Sequence, residues 1–433
     1  MPLLRARLAI PLVTALLGLG VSPLPGGPSP TPPSAVLPRL VTEGRAPAAA
    51  MVSASPTASR FQAAGPGIRR ADRFRAGSVT KTFIATVVLQ LAAEGRLRLD
   101  DPVARHLPGL VPGTAGRRVT LRALLTHTSG LPEYTDAGAA LSSFTRTTAR
   151  EAVRRALAGH PPGPVGRYAY SNTNYVLLGL VIERVTDRSY AAAVGRRIIR
   201  PLQLTGTSLP GARTTLPTPH GRAYDVTGRD VTVLDPRAAD AAGELISTLD
   251  DLNHFYAGLL SGRLLPPPQL RELLDTRPTN GWYGMGVYPL RLSCGVTVWG
   301  HNGHITGSYV RSATTGDGRH TVTFRVNTDH LADRTRHVLE PALLEEEFCR
   351  GTAPRAHAQH DRGARPPSAT GAQHPPSAAA GAQRPPGAGR TSHRRVPGPA
   401  YSGTMSGAPS RAASAVRSSG CRCDSRSAST RFS

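Results

Sequence analysis

Ser78 and Lys81, three residues apart in Ser78-Val79-Thr80-Lys81, are the pair in this chain best suited to do chemistry. The chain has 433 residues, with 51 arginines and Lys81 as its single lysine. An arginine guanidinium stays protonated in water. A lysine amine can be driven to neutrality by burial or by nearby positive charge, and can then take a proton from a hydroxyl. Every other basic position that needs only charge is met by arginine, so Lys81 reads as a base.

Two further segments belong with this pair. Tyr170-Ser171-Asn172 lies in a loop just ahead of an apolar helical stretch, and Trp299-Gly300-His301-Asn302-Gly303 lies at a strand end. The elements that must position them follow from periodicity and punctuation. Residues 51–54 and 61–64 read as a short hairpin. From Ser78 the apolar run Phe83 to Leu91, closed by Glu94-Gly95, reads as a buried helix with Ser78 at its N-terminus. Spacing of i and i+3 brings Lys81 onto the face of the Ser78 hydroxyl. Helices are expected over 120–126, 148–158, 174–185, 190–199 and 249–260, and residues 205–240 are expected to be irregular. Strands are expected over 296–299, 308–314 and 320–327, with Gly316-Asp317-Gly318 as a hairpin turn, and a last helix over 340–348. Strands at both ends of a helical middle imply that the ends of the domain meet in one α/β lobe.

With these segments in order, the chain resembles the serine β-lactamase-like superfamily, which includes class C β-lactamases, D-alanyl-D-alanine carboxypeptidases and related esterases. That family carries SxxK, YxN and a KTG or HxG element. The resemblance spans roughly residues 35–350. It extends to Arg73 through Lys81, Leu124-Leu125-Thr126-His127-Thr128-Ser129-Gly130-Leu131, Tyr170 through Tyr175, and Ala242-Gly243-Glu244-Leu245-Ile246-Ser247-Thr248.

The resemblance implies an α/β (α+β) fold of the β-lactamase/DD-peptidase type. An antiparallel sheet is flanked by helices, an all-helical lobe of about 100–215 is inserted, and the active site lies between them. It also implies roles. Ser78 is the nucleophile, Lys81 its base, and Tyr170, similarly perturbed, carries the proton to the departing amine. Asn172 holds Lys81 and the substrate amide, and His301 polarises Tyr170 without a permanent charge. The backbone N–H groups of Ser78 and His304 form the oxyanion site, Gly303 lets substrate lie close to its strand, and Asn302 and Arg291 are candidates for substrate binding. Tyr288 is the alternative occupant of the arginine's place. His127 is assigned a structural role in this pattern, and Glu345-Glu346-Glu347 is read as a solvated helix face.

The histidine in the third motif favours a secreted D-alanyl-D-alanine carboxypeptidase that acts on peptidoglycan stem peptides and is acylated by penicillins. Asn302, standing where family peptidases have a hydroxyl residue, keeps a class C-like β-lactamase, an esterase or a D-amino-acid amidase as alternatives. A non-catalytic penicillin- or wall-binding protein is the alternative of another class. No cofactor and no metal are expected, and the protein is expected to be monomeric.

Composition bounds the rest. Residues 1–34 read as a signal peptide with Arg5 and Arg7 ahead of the apolar run Leu8 to Val21, and residues 33–35 or 48–50 as cleavage sites. This makes the protein secreted, with an uncleaved anchor as the lesser expectation. Residues 351–433, rich in Pro, Ala, Gly and Arg, read as a disordered tail. The net charge is +24, of which residues 350–433 carry +11 and the first fifty residues +3. Nearly half of the charge is therefore outside the folded region, which argues against nucleic-acid binding and leaves weak contact of the tail with anionic wall polymer as an expectation. In an exported chain Cys294 and Cys349 are a candidate disulfide. Cys421 and Cys423 have no assigned partner.

Overall fold

The computed structural model describes residues 32–136, 148–329, 331 and 333–350. The tail and nearly all of the expected signal peptide lie outside the described residues. Among the described residues there are eight strands: β1 Ala49–Ser55, β2 Ala58–Ala64, β3 Phe74–Arg75, β4 Ile246–Ser247, β5 Tyr288–Arg291, β6 Thr297–Ile305, β7 Ser308–Thr315 and β8 Thr321–Val326. Six form one antiparallel sheet in the order β2-β1-β8-β7-β6-β5, and β3 pairs with β4 in a separate ribbon. The first hairpin thus joins the last strand, with Ala49 opposite Val326, and the two ends of the domain meet as the strand pattern implies.

Each face of the sheet is covered by helices, so each strand face buries apolar side chains. On one side the helix Leu249–Leu260 packs over β8, β7 and β1. On the other, helices Arg39–Thr42 and Asp333–Phe348 cover a second core that includes Met51, Val298, Ala313 and Phe324. Cys294 and Cys349 are disulfide-bonded, tying the loop after β5 to the end of the last helix.

Gly77–Val79 is a 3₁₀ turn that runs straight into the helix Thr80–Ala93. That helix is buried on all sides, which explains its high apolar content and its tolerance of β-branched residues. Its Phe83 ring stacks on Phe255 at 3.7 Å. It ends at Gly95, whose φ of +68° costs a residue without Cβ nothing. Between this helix and β4 the described residues are helical or irregular, with helices at Val103–His106, Gly113–Arg118, Leu121–Leu125, Ala149–Gly159, Asn172–Thr186 and Tyr190–Val194. Among the described residues no helix is long and apolar enough to cross a membrane.

Two expectations change. The strand Tyr288–Arg291 and the helix Pro267–Leu274 were not anticipated, because a four-residue strand and a helix opened by prolines carry little periodicity. The acidic run is not a solvated face. Glu345 accepts from the Ser293 hydroxyl at 2.7 Å, Glu346 from the backbone of Ala35 at 2.8 Å, and Glu347 pairs with Arg60 at 2.6 Å. These contacts clamp the last helix to the start of the domain and to the loop after β5. Ser34 is buried with its hydroxyl donating to Glu346 at 2.5 Å, and Ala49 and Ala50 lie in β1.

Candidate active site

Lys81 is fully buried, and its Nζ makes three contacts: Ser78 Oγ at 2.9 Å, Asn172 Oδ1 at 2.7 Å and the Ala242 carbonyl at 2.7 Å. Two of these partners can only accept. A neutral amine has two hydrogens and one lone pair, so once Asn172 and Ala242 take the hydrogens the lone pair is left facing the Ser78 hydroxyl. Burial lowers the Lys81 pKa to about 7, against a smaller opposing pull from the Glu133 carboxylate. The amine is therefore poised between its two forms near neutrality.

The Ser78 turn is positioned by backbone against backbone. Gly77 has φ +51°, and a Cβ there would meet the His304 nitrogen at 2.7 Å. A Cβ on Gly303 would meet the Ala76 carbonyl oxygen at 1.8 Å. Both glycines are required by close approach. The result sets the His304 backbone beside the residue preceding Ser78, while the His304 side chain is turned away to the Asp329 carbonyl at 2.8 Å.

Tyr170 hydrogen-bonds Ser78, and Lys81 Nζ lies 5.0 Å from the centre of its ring. Burial raises its pKa well above the ordinary value of 10, and the bond to Ser78 only partly offsets this. The phenol is thus held neutral. The expectation of a phenol perturbed in the same way as Lys81 is corrected here: desolvation disfavours both charged forms, so it lowers the amine and raises the phenol. His127 supports the ring by stacking on it at 4.2 Å. Its Nδ1 accepts from the Ser171 backbone at 3.2 Å, and burial pushes its pKa well down, so it is a neutral support in this site.

His301 is buried beside the phenols of this site. Its Nε2 meets Tyr283 Oη at 2.9 Å, and Tyr283 lies edge-on to Tyr170 with ring centres 6.3 Å apart. Tyr283 also hydrogen-bonds Tyr175, which donates to the Leu125 carbonyl at 2.9 Å. The polarising role expected of His301 therefore passes through a wall of phenols.

Asn172 opens the helix Asn172–Thr186, and its backbone N–H donates to Glu133 Oε2 at 2.7 Å. Glu133 thereby fixes the helix start that carries the Lys81 ligand, at the helix end where negative charge is favourable.

Arg291 is not part of this constellation. In the β5–β6 pair it lies opposite Thr297, four residues from His301, or about 13 Å along a strand, and its side chain is exposed. Tyr288 lies opposite Gly300 and stands 5.4 Å from the His301 ring, so it occupies the place considered for the arginine. Asn302 faces Arg311 across β6–β7, on the opposite side of the strand from His301.

Sequence reasoning did not find Glu133, Tyr283 or the Ala242 carbonyl. Ala242 lies in a segment that resembles the family, but a backbone acceptor leaves no residue-type signal. Tyr283 and Glu133 reach the site by tertiary contact at no fixed spacing.

The model of the family described as Beta-lactamase matches residues 35–343. A D-stereospecific amidohydrolase from Streptomyces sp. has a similar solved structure, with 41% identity, 73% of this chain and 98% of that chain covered, and a TM-score of 0.66. The D-amino acid amidase from Ochrobactrum anthropi SV3, in complex with L-phenylalanine amide, is 27% identical over 72% of this chain and 95% of that one, with a TM-score of 0.64. Among curated relatives, "Protein flp" of Staphylococcus aureus (strain COL) is 30% identical over 48% of this chain. The chain spans 42% of that relative's length. With the family match over most of the chain, and a buried serine–lysine–tyrosine constellation at its centre, the chain belongs to the Beta-lactamase family of serine hydrolases.

Proposed function

We propose that the protein is a D-stereospecific serine amidohydrolase that cleaves amides or short peptides of D-amino acids through an acyl-enzyme on Ser78. The observation that carries this reading is the Lys81 amine, with two contacts fixed by acceptors and the third on the Ser78 hydroxyl. In this reading Lys81 takes the Ser78 proton as Oγ attacks the carbonyl carbon. The oxyanion receives hydrogen bonds from the backbone N–H groups of Ser78 and His304, each worth about 2.7–4 kcal/mol in such sites. The neutral Tyr170 hydroxyl relays the proton to the departing nitrogen, the C–N bond breaks, and the amine leaves. Water then attacks the ester by the reverse proton path.

The leaving group favours an amide over a free terminal dipeptide. Arg291, the arginine considered for pairing with a substrate carboxylate, lies away from Ser78, and Asn302 offers no charge. The likeness to the Streptomyces amidohydrolase, over 98% of that chain, supports the same direction.

A second reading is a secreted D-alanyl-D-alanine carboxypeptidase acting on stem peptides in the wall space. The histidine at position 301 in the third motif favours it. Purified protein offered D-phenylalanine amide, its L enantiomer, a D-Ala-D-Ala peptide and a fluorescent penicillin separates the two. Ammonia release from the D-amide alone supports the amidase, and D-Ala release supports the peptidase. Mass spectrometry that finds no acyl adduct on Ser78 with any of them overturns both.

A further inference from the structure

Behind the Ser78 turn lies a small cavity that the hydrolytic reading does not use. Phe74, Arg75, Gly221, Thr232, Ser308 and Arg325 are among its lining residues, and it holds about one water-sized or halide-sized species. Two guanidiniums reach it. Arg325 is 2% exposed, and its Nε and Nη1 have no hydrogen-bond partner. Arg75 is 4% exposed, and only its Nη2 is engaged, on the Thr214 and Leu234 carbonyls at 2.6 and 2.9 Å.

The charges do not balance. Asp72 is the acid beside Arg325, and a Cβ on Gly221 would sit 3.2 Å from its Oδ2 and 3.5 Å from Arg325 Nη2, so Gly221 stands between the two. Asp72 Oδ2 is already taken by the Arg69 backbone at 2.8 Å. Near Arg75, Asp235 is held by Arg237 at 3.0 Å, and Glu244 accepts from Tyr190 at 2.7 Å with its pKa raised to about 7 by burial. Asp72 Oδ1 lies 3.7 Å from Arg69 Nε, so the one acid beside the two buried cations is shared with a third arginine. A buried guanidinium with idle donors costs several kcal/mol unless something satisfies it. Burial lowers the Arg325 pKa to about 10, in keeping with that cost.

We propose that this cavity is a built binding site for one small monovalent anion of halide size, held by the idle N–H groups of Arg325 and Arg75. A single negative charge would offset one of the two buried cations, and the space between the guanidiniums is small. The site lies under the strand that delivers the nucleophile: Ser308 Oγ donates to the Arg75 carbonyl at 2.8 Å, and Ala76, the next residue, abuts Gly303. Occupancy would brace that strand.

The test uses the whole protein. Thermal melting is followed while sodium chloride replaces sodium gluconate at constant ionic strength. The expected result is a saturable rise in Tm of about 2–4 °C, which bromide reproduces. Crystals grown in bromide should show anomalous density in contact with Arg325. Arg325→Met should abolish the halide dependence, and should that variant not fold, the titration and the bromide density on the native protein decide. Melting indifferent to halide, water alone in the cavity, or bromide bound only at surface arginines overturns the proposal.

Discussion

Ser78 Oγ and Lys81 Nζ lie 2.9 Å apart across one turn, and the other two directions of the amine end on groups that can only accept. Arginine at this position would keep the charge and lose the lone pair. Lys81→Arg should therefore fold and lose acylation by about 10²–10⁴-fold, the usual contribution of a positioned base. Intact-mass measurement of the adduct after incubation with a penicillin or a D-amide checks this; undiminished labelling would sink the base assignment.

The amine must be neutral to act. With its pKa lowered to about 7, kcat/KM should fall on the acid side with a midpoint near that value, and not near 10. The Glu133 carboxylate opposes the shift, so Glu133→Gln should move the acid limb to lower pH. Gln keeps a carbonyl oxygen to accept from Asn172. A limb that stays put or moves upward would contradict the sign. The same burial makes Lys81 a load on stability. The folded protein sheds the proton above about 7 while the unfolded chain holds it to the ordinary lysine value of 10.5, so this residue's contribution should improve as pH rises through that window.

Tyr170 is held neutral by burial, so its hydroxyl is available as a proton carrier throughout the working range. Tyr170→Phe should keep the ring stack with His127 and lower turnover by about 10²-fold or more. Stopped-flow and steady-state rates with a chromogenic D-anilide give this directly. Tyr283→Phe removes the partner of His301 without touching Ser78, and should cost less, about tenfold, with kcat falling more than KM rises.

Gly303→Ala would press a methyl group into the Ala76 carbonyl, 1.8 Å away. The Ser78 turn or the strand must move, so stability should fall by about 1–3 kcal/mol and activity should fall further than stability alone explains. Chemical denaturation beside kcat/KM separates the two losses.

Cys294 and Cys349 close a span of 55 residues. Replacing both by serine should cost about 2–4 kcal/mol by freeing the unfolded chain, while the Ser78 site keeps its geometry at 25 °C. Calorimetry with and without reductant tests this.

The three motifs were legible because each packs several chemical residues into a few positions. Ser78 to Lys81 is a helical spacing, and any helix there brings the two together. The roles that changed depend on distance through space. Whether Arg291 or Tyr288 stands beside His301 is settled by the β5–β6 register, which pairs Tyr288 with Gly300, and a four-residue strand gives no alternation from which to count it. That His301 meets Tyr283 depends on a loop that no periodicity marks. The Glu345–Glu347 run looked solvated because its partners, Ser293, Ala35 and Arg60, lie 52 to more than 300 residues away.

The antiparallel contact of β1 with β8 sets a constraint on biosynthesis. Ala49 must wait for Val326, more than 270 residues later, before its ladder can form. The nucleophile, its base and the tyrosine are all made long before then, yet the strand that carries His301 and His304 is inserted between that late strand and the edge. Closing so distant a pairing is slow. A ribosome-bound chain would therefore hold the catalytic side chains without an assembled oxyanion pocket, and hydrolytic power would arrive only when the final strand docks.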